Sequence, residues 1–177
     1  MTLLLSACGG ATATVSPSSS TSAAPSPTLA PEPFVGTGFR TNIPAGWQDQ
    51  TTNQSAVASL NGSGTVLMLL ASPDHGVVVA STTPQPVADD QLAEYLTTIR
   101  PAGATGVTQP EPVDVDGDSG VLITFEVAPA TGTPQESEVM VVNQAGNTYE
   151  MVLSTAQADF SRDAAGLQEI LDSWMWA

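Results

Sequence analysis

The residues best equipped for chemistry fall in a few short stretches. Gly117-Asp118-Ser119-Gly120 sets a serine between small residues. Its hydroxyl becomes a nucleophile only if a histidine takes the proton and a carboxylate orients that histidine. The chain holds one histidine, His75, within Pro73-Asp74-His75-Gly76, so the order His, Asp, Ser is formally present. Asp114-Val115-Asp116-Gly117-Asp118 places carboxylates at alternate positions, as the first half of a calcium loop does. Glu126 and Glu150 lie within strand-like runs, where an inward-facing carboxylate would suit general acid–base work. Trp47, Trp174 and Trp176 are the aromatic candidates for lining a small-molecule cleft.

Neighbouring residues favour plainer readings. Gly117 to Gly120 is similar to the nucleophile motif of trypsin-like serine proteases, but Val121-Leu122 begins a strand where those enzymes continue Gly-Pro. A hairpin turn accounts for the motif. The calcium loop needs glycine at its sixth position and an acid at its twelfth; Ser119 and Phe125 stand there instead. His75 has no second histidine to share a metal with. Trp174 falls on an apolar stripe and reads as core. No catalytic residue, metal site or cofactor is expected.

The elements that must position these residues follow from periodicity. Phe39 to Ile43 alternates and ends at Pro44, which predicts a short strand, with Pro44-Ala45-Gly46-Trp47 as a turn folding the Trp back on the sheet. Ala56–Leu60 and Thr65–Ala71 predict a hairpin across Asn61-Gly62-Ser63-Gly64. Val77–Ala80 is the next strand. Leu92, Tyr95, Leu96 and Ile99 share one stripe of a helix spanning Asp90–Arg100, which Pro101 stops. Four strands are predicted at Val107–Val113, Gly120–Val127, Glu136–Val142 and Thr148–Ser154, with turns at Asp116-Gly117 and Ala145-Gly146-Asn147. Phe160, Ala164, Leu167, Leu171 and Trp174 mark a closing helix that packs on the sheet. Strands, helix, strands, helix is an α+β arrangement with an antiparallel sheet and two main helices.

Composition divides the chain. From Gly9 to Pro33 there is one charge, Glu32, and almost nothing but Ala, Ser, Thr, Pro and Gly. Such a stretch lacks the apolar surface that offsets ordering entropy, so residues 9–33 are expected to be a disordered tether and residues 34–177 a single domain. Extended, roughly 25 residues at ~3.1 Å each would reach on the order of 75 Å. The 177-residue chain carries eighteen Asp and Glu against three Arg and no Lys, a net charge of −15. That sign excludes the phosphate neutralisation on which nucleic-acid binding depends, and it repels anionic headgroups.

The single cysteine, Cys8, allows no internal disulfide. Leu5-Ser6-Ala7-Cys8 resembles the lipobox of bacterial lipoproteins, in which an apolar residue and two small ones precede the modified cysteine. The resemblance implies that residues 1–8 are a signal-peptide remnant and that Cys8 is the lipid attachment site. Two or more acyl chains at about 0.8 kcal/mol per buried methylene give stable anchoring. The order Phe39 to Ile43, Pro44-x-Gly46-Trp47, Pro73-Asp74-x-Gly76, helix Asp90–Arg100, Val113-x-Val115-x-Gly117 and Leu171-x-Ser173-Trp174 resembles the PsbP-like proteins, which include DcrB-type and LpqN-type lipoproteins. That resemblance implies a PsbP-like α+β domain and an accessory or binding role, with no shared active site to carry over.

These readings together lead to the expectation of a lipid-anchored lipoprotein on the outer face of the cytoplasmic membrane. It is expected to act as a non-catalytic module for an envelope protein, glycan or lipid, with no nucleic-acid partner. An envelope hydrolase using Ser119 or paired carboxylates, and a passive structural lipoprotein, are the alternatives.

Overall fold

The computed structural model describes residues 31–60 and 64–177. Leu5, Ser6, Ala7, Cys8 and the expected tether as far as residue 30 lie outside the described residues, as do Asn61, Gly62 and Ser63.

Among the described residues, two antiparallel sheets and three α-helices form an α+β fold. The small sheet runs β1 (Glu32–Val35), β2 (Phe39–Ile43), β10 (Met175–Trp176), in that spatial order. Strict alternation in β2 buries Phe39, Thr41 and Ile43 and exposes Arg40 and Asn42. Strand β1 takes in Glu32 and Pro33, two residues that composition places in the tether. Pairing decides this, because Glu32 and Pro33 sit opposite Ile43 and Asn42.

The large sheet is ordered β3 (Gln48–Asp49), β4 (Thr65–Ala71), β5 (Val77–Thr82), β9 (Asn147–Ala156), β8 (Gln135–Gln144), β7 (Asp118–Val127), β6 (Glu111–Val115). Two of its hairpins close through two-residue turns with positive φ at both positions: Asp116 (51°) with Gly117 (88°), and Ala145 (50°) with Gly146 (79°). These are type I′ turns, whose twist matches that of the flanking strands. The first turn sets the register of β6 from Val115 opposite Asp118 down to Glu111 opposite Leu122. It therefore moves this strand four residues beyond the expected start at Val107. Thr105 instead makes an isolated bridge to Glu126.

Each face of the large sheet carries its own core. On the first, Met68, Leu70, Val78, Met140, Met151 and Leu153 pack under α3 (Phe160–Asp172), the small sheet and Trp174. On the second, Ile123, Phe125, Val139 and Val141 pack under Leu92 and Leu96 of α2 (Leu92–Ile99), which a 3-10 turn at Asp89–Gln91 introduces. Because β8 is covered on both sides, Val139 to Val142 are buried without interruption.

One expected strand is a helix. Gln54–Ser59 forms α1, capped by Asn53, whose Oδ1 accepts the Ala56 N–H at 3.2 Å. The run Ala56-Val57-Ala58 is too short for periodicity to choose between helix and strand, and the Asn cap decides. The place beside β4 goes to β3, with Gln48 opposite Ala71.

Candidate functional site

The large sheet's second face is covered unequally. Helix α2 lies over β7 and β8, whereas β4, β5 and β9 keep an apolar strip half open. Val66, Val79 and Val152 line this groove with Ser81 and Glu150, and Val57 and Leu60 from the α1 region form its far wall. Cross-strand pairing aligns the floor: Val79 sits opposite Val152, and Ser81 opposite Glu150. The groove encloses about 330 Å³, within the range of small-ligand sites. Gly64 closes its end so tightly against the Thr82 carbonyl that no Cβ would fit.

A wider cleft of about 600 Å³ lies along the α2 side, between that helix and the Thr83–Val87 strap. Tyr95 lines the cleft and Glu150 lines the groove. The Tyr95 hydroxyl donates to Glu150 Oε2 at 3.1 Å, so this pair separates the two depressions. Burial raises the Glu150 pKa, although the Tyr95 hydrogen bond pulls the other way. Burial, and then the Glu150 charge, push Tyr95 up to about 12, so it stays a donor at any physiological pH.

The strap is held by a polar clamp. Thr148 Oγ1 donates to Asn143 Oδ1 at 2.5 Å and accepts the Val87 N–H at 2.8 Å. Asn143 Nδ2 donates to the Val87 carbonyl at 2.8 Å and to Asp89 Oδ1 at 2.6 Å. Periodicity gives no sign of this network, since it joins residues up to 61 positions apart.

The expected turn residues are dispersed. His75 (φ 70°) and Ser119 are both exposed. Strand order puts them three spacings apart across the sheet, about 14 Å at ~4.8 Å each. Register adds to this, because Val77 aligns through Ser154 and Ser137 with Phe125, six residues along β7 from Ser119. At ~3.3 Å per residue that is roughly 20 Å more. The pair cannot share a proton. The three aspartates of the calcium-like stretch bond separately: Asp114 accepts the Gly117 N–H, Asp116 the Trp176 N–H, and Asp118 the Gln144 side-chain amide. Among the described residues, no group of three His, Cys, Asp or Glu is placed to hold a metal ion.

Glu126 sits directly opposite Glu136, far along the β7–β8 pair from the groove. Burial first, and then its acidic neighbour Glu126, raise the Glu136 pKa; Glu138 is raised by burial and by Glu136. The tryptophans do not line the groove. Trp174 stacks on Phe39 with ring centroids 3.9 Å apart, and Trp176 meets Trp174 edge-on at 5.4 Å. The Trp47 ring packs against the core between the sheet and α3, where a Cβ on Gly166 would come within 2.5 Å of it. Asp163, three residues after Phe160 and four before Leu167 on the apolar face of α3, is buried and accepts the Thr155 hydroxyl. Among the described residues, no helix is long and apolar enough to cross a membrane.

The sequence matches no protein-family model and no curated protein. Among solved structures, it is similar to the cyanobacterial PsbP protein CyanoP of Synechocystis sp. PCC 6803, with TM-score 0.54 and 17% identity over 83% of this chain and 92% of that one. It is likewise similar to LpqN of Mycobacterium tuberculosis, described as involved in cell envelope biogenesis, with TM-score 0.54 and 11% identity over 82% and 90%. At such identities the likeness concerns architecture alone, and the antiparallel sheets, the helix order and these neighbours together give the chain a PsbP-like fold.

Proposed function

We propose that this chain is an extracytoplasmic lipoprotein, anchored through Cys8 to the outer face of the cytoplasmic membrane, and that its PsbP-like domain is a non-catalytic binding module of the cell envelope. The groove across β4, β5 and β9 carries the binding part of the reading. It is concave and mostly apolar, with one polar pair at its wall, as ligand sites are. The anchor rests on Leu5-Ser6-Ala7-Cys8. LpqN, which shares the fold, is described as acting in envelope biogenesis, and that supports the setting.

Crosslinking in intact cells, followed by purification from membranes and mass spectrometry, tests both parts. A partner or lipid should be captured by the wild type and lost in Val79→Trp, whose indole fills the groove floor. Capture undiminished in a folded Val79→Trp variant would refute the groove as the binding site. In a chain carrying a complete signal peptide, Cys8→Ala should move the protein from membrane to medium. Retention on the membrane would overturn the anchor.

A further inference from the structure

Resting on that reading of the groove as a binding site, we infer that its ligand is a small amphiphile with a cationic ammonium head, which pairs with Glu150 while its hydrocarbon part lies on Val66, Val79 and Val152. Three observations carry this. First, the floor and far wall are hydrocarbon: the three valines, with Val57 and Leu60 opposite, all half-buried. Second, Glu150 is the one ionisable residue in that lining. Its Oε2 accepts from Tyr95, a neutral donor that leaves the carboxylate's charge uncompensated. Third, among the described residues no cationic side chain forms a salt bridge with Glu150. The chain's only Lys or Arg residues are Arg40, Arg100 and Arg162. Among the described residues, the salt bridges are those of Arg162 to Asp74 and Asp159, in and beside turns remote from the groove.

A partly desolvated carboxylate in an apolar setting is costly unless a cation meets it. An ammonium group supplies the charge and three donors, and an attached alkyl chain covers the valines that water now touches. The charge of −15 favours the same sign of ligand at longer range and disfavours an anionic amphiphile. A neutral alcohol would gain the apolar contact without the charge pairing.

Titration of the full 177-residue chain, ¹⁵N-labelled, separates these cases. The probes are octylammonium chloride, octan-1-ol and sodium octanoate, each kept below its aggregation concentration near pH 7. Octylammonium should shift the amide resonances of Val66, Val79, Ser81, Glu150 and Val152 saturably. Its Kd should be about tenfold below that of octanol, the low end of what a charge-assisted hydrogen bond contributes. Octanoate should not bind. Glu150→Gln, which keeps an acceptor for Tyr95, should raise the octylammonium Kd to the octanol value and leave octanol unchanged.

Equal affinity for octylammonium and octanol in the wild type would overturn the ammonium assignment while keeping the groove as an apolar site. So would a preference that survives Glu150→Gln. No binding by any probe, or shifts confined to other parts of the domain, would overturn both the assignment and the groove. The wild-type comparison decides the matter even if the variant fails to fold.

Discussion

Replacing Thr148 with valine removes the centre of the clamp that holds the Thr83–Val87 strap. Thr148 is 1% exposed, and valine has nearly its shape, so no cavity opens. What is lost is hydrogen bonding. The Val87 N–H and Asn143 Oδ1 each lose the partner they had at 2.8 and 2.5 Å. An orphaned buried group costs about 1–3 kcal/mol, and these are only partly buried, so ~1 kcal/mol each is the appropriate end of the range. The sum, about 2 kcal/mol, lowers Tm by roughly 4–8 °C in a domain of this size. Urea unfolding should give the same loss through the midpoint with an unchanged slope. Hydrogen exchange at the Val87 amide should quicken most, because that donor then faces only water. Thr148→Ser, which keeps the hydroxyl, should retain Val87 protection even though it sheds a methyl group. A Thr148→Val variant with unaltered Tm and Val87 protection would refute the clamp and the rigid strap that walls the cleft.

Gly166→Ala gains ~1 kcal/mol of helix propensity, yet its methyl meets the Trp47 ring at 2.5 Å; overpacking against a rigid ring should give a net loss of about 1–2 kcal/mol in urea unfolding, and a more stable variant would show that Trp47 does not press on α3. Glu136, Glu138 and Glu150 all have folded-state pKa values raised by burial, so the folded chain holds their protons more tightly than the unfolded one. Their stabilising contribution is complete below the ordinary 4.5 and is lost as pH climbs through the raised values. Calorimetry should therefore find a higher Tm near pH 5 than near pH 7, and the reverse order would contradict the burial of these carboxylates. Ser119→Ala should change stability by less than ~0.5 kcal/mol, as exposed substitutions do, and a fluorophosphonate probe should leave the wild type unlabelled; labelling that requires both Ser119 and His75 would reinstate the hydrolase.

The sequence by itself determined whatever depends on near neighbours. Alternation across Phe39–Ile43 specifies a strand with one buried face, and the stripe Leu92, Leu96, Ile99 specifies an amphipathic helix, because each pattern is the backbone's own period. Asp116-Gly117 specifies a tight hairpin, since two consecutive left-handed residues are locally demanded. The acidic balance, a net charge of −15, is likewise a property of composition. Tertiary structure decided what depends on residues far apart in the chain. Placing β9 and β8 between β5 and β7 separates His75 from Ser119, although their order along the chain suits a triad. The length of α2 and its seat over β7 and β8 leave β4, β5 and β9 half uncovered, which makes a groove of valines that read as ordinary core positions. Tyr95 meets Glu150 across 55 positions, and buried Asp163 finds its hydrogen-bond partner in Thr155 on β9. Period and turn chemistry report which face of an element is apolar. Which neighbour covers that face, and how completely, is set by strand order and helix placement, and those are properties of the assembled chain.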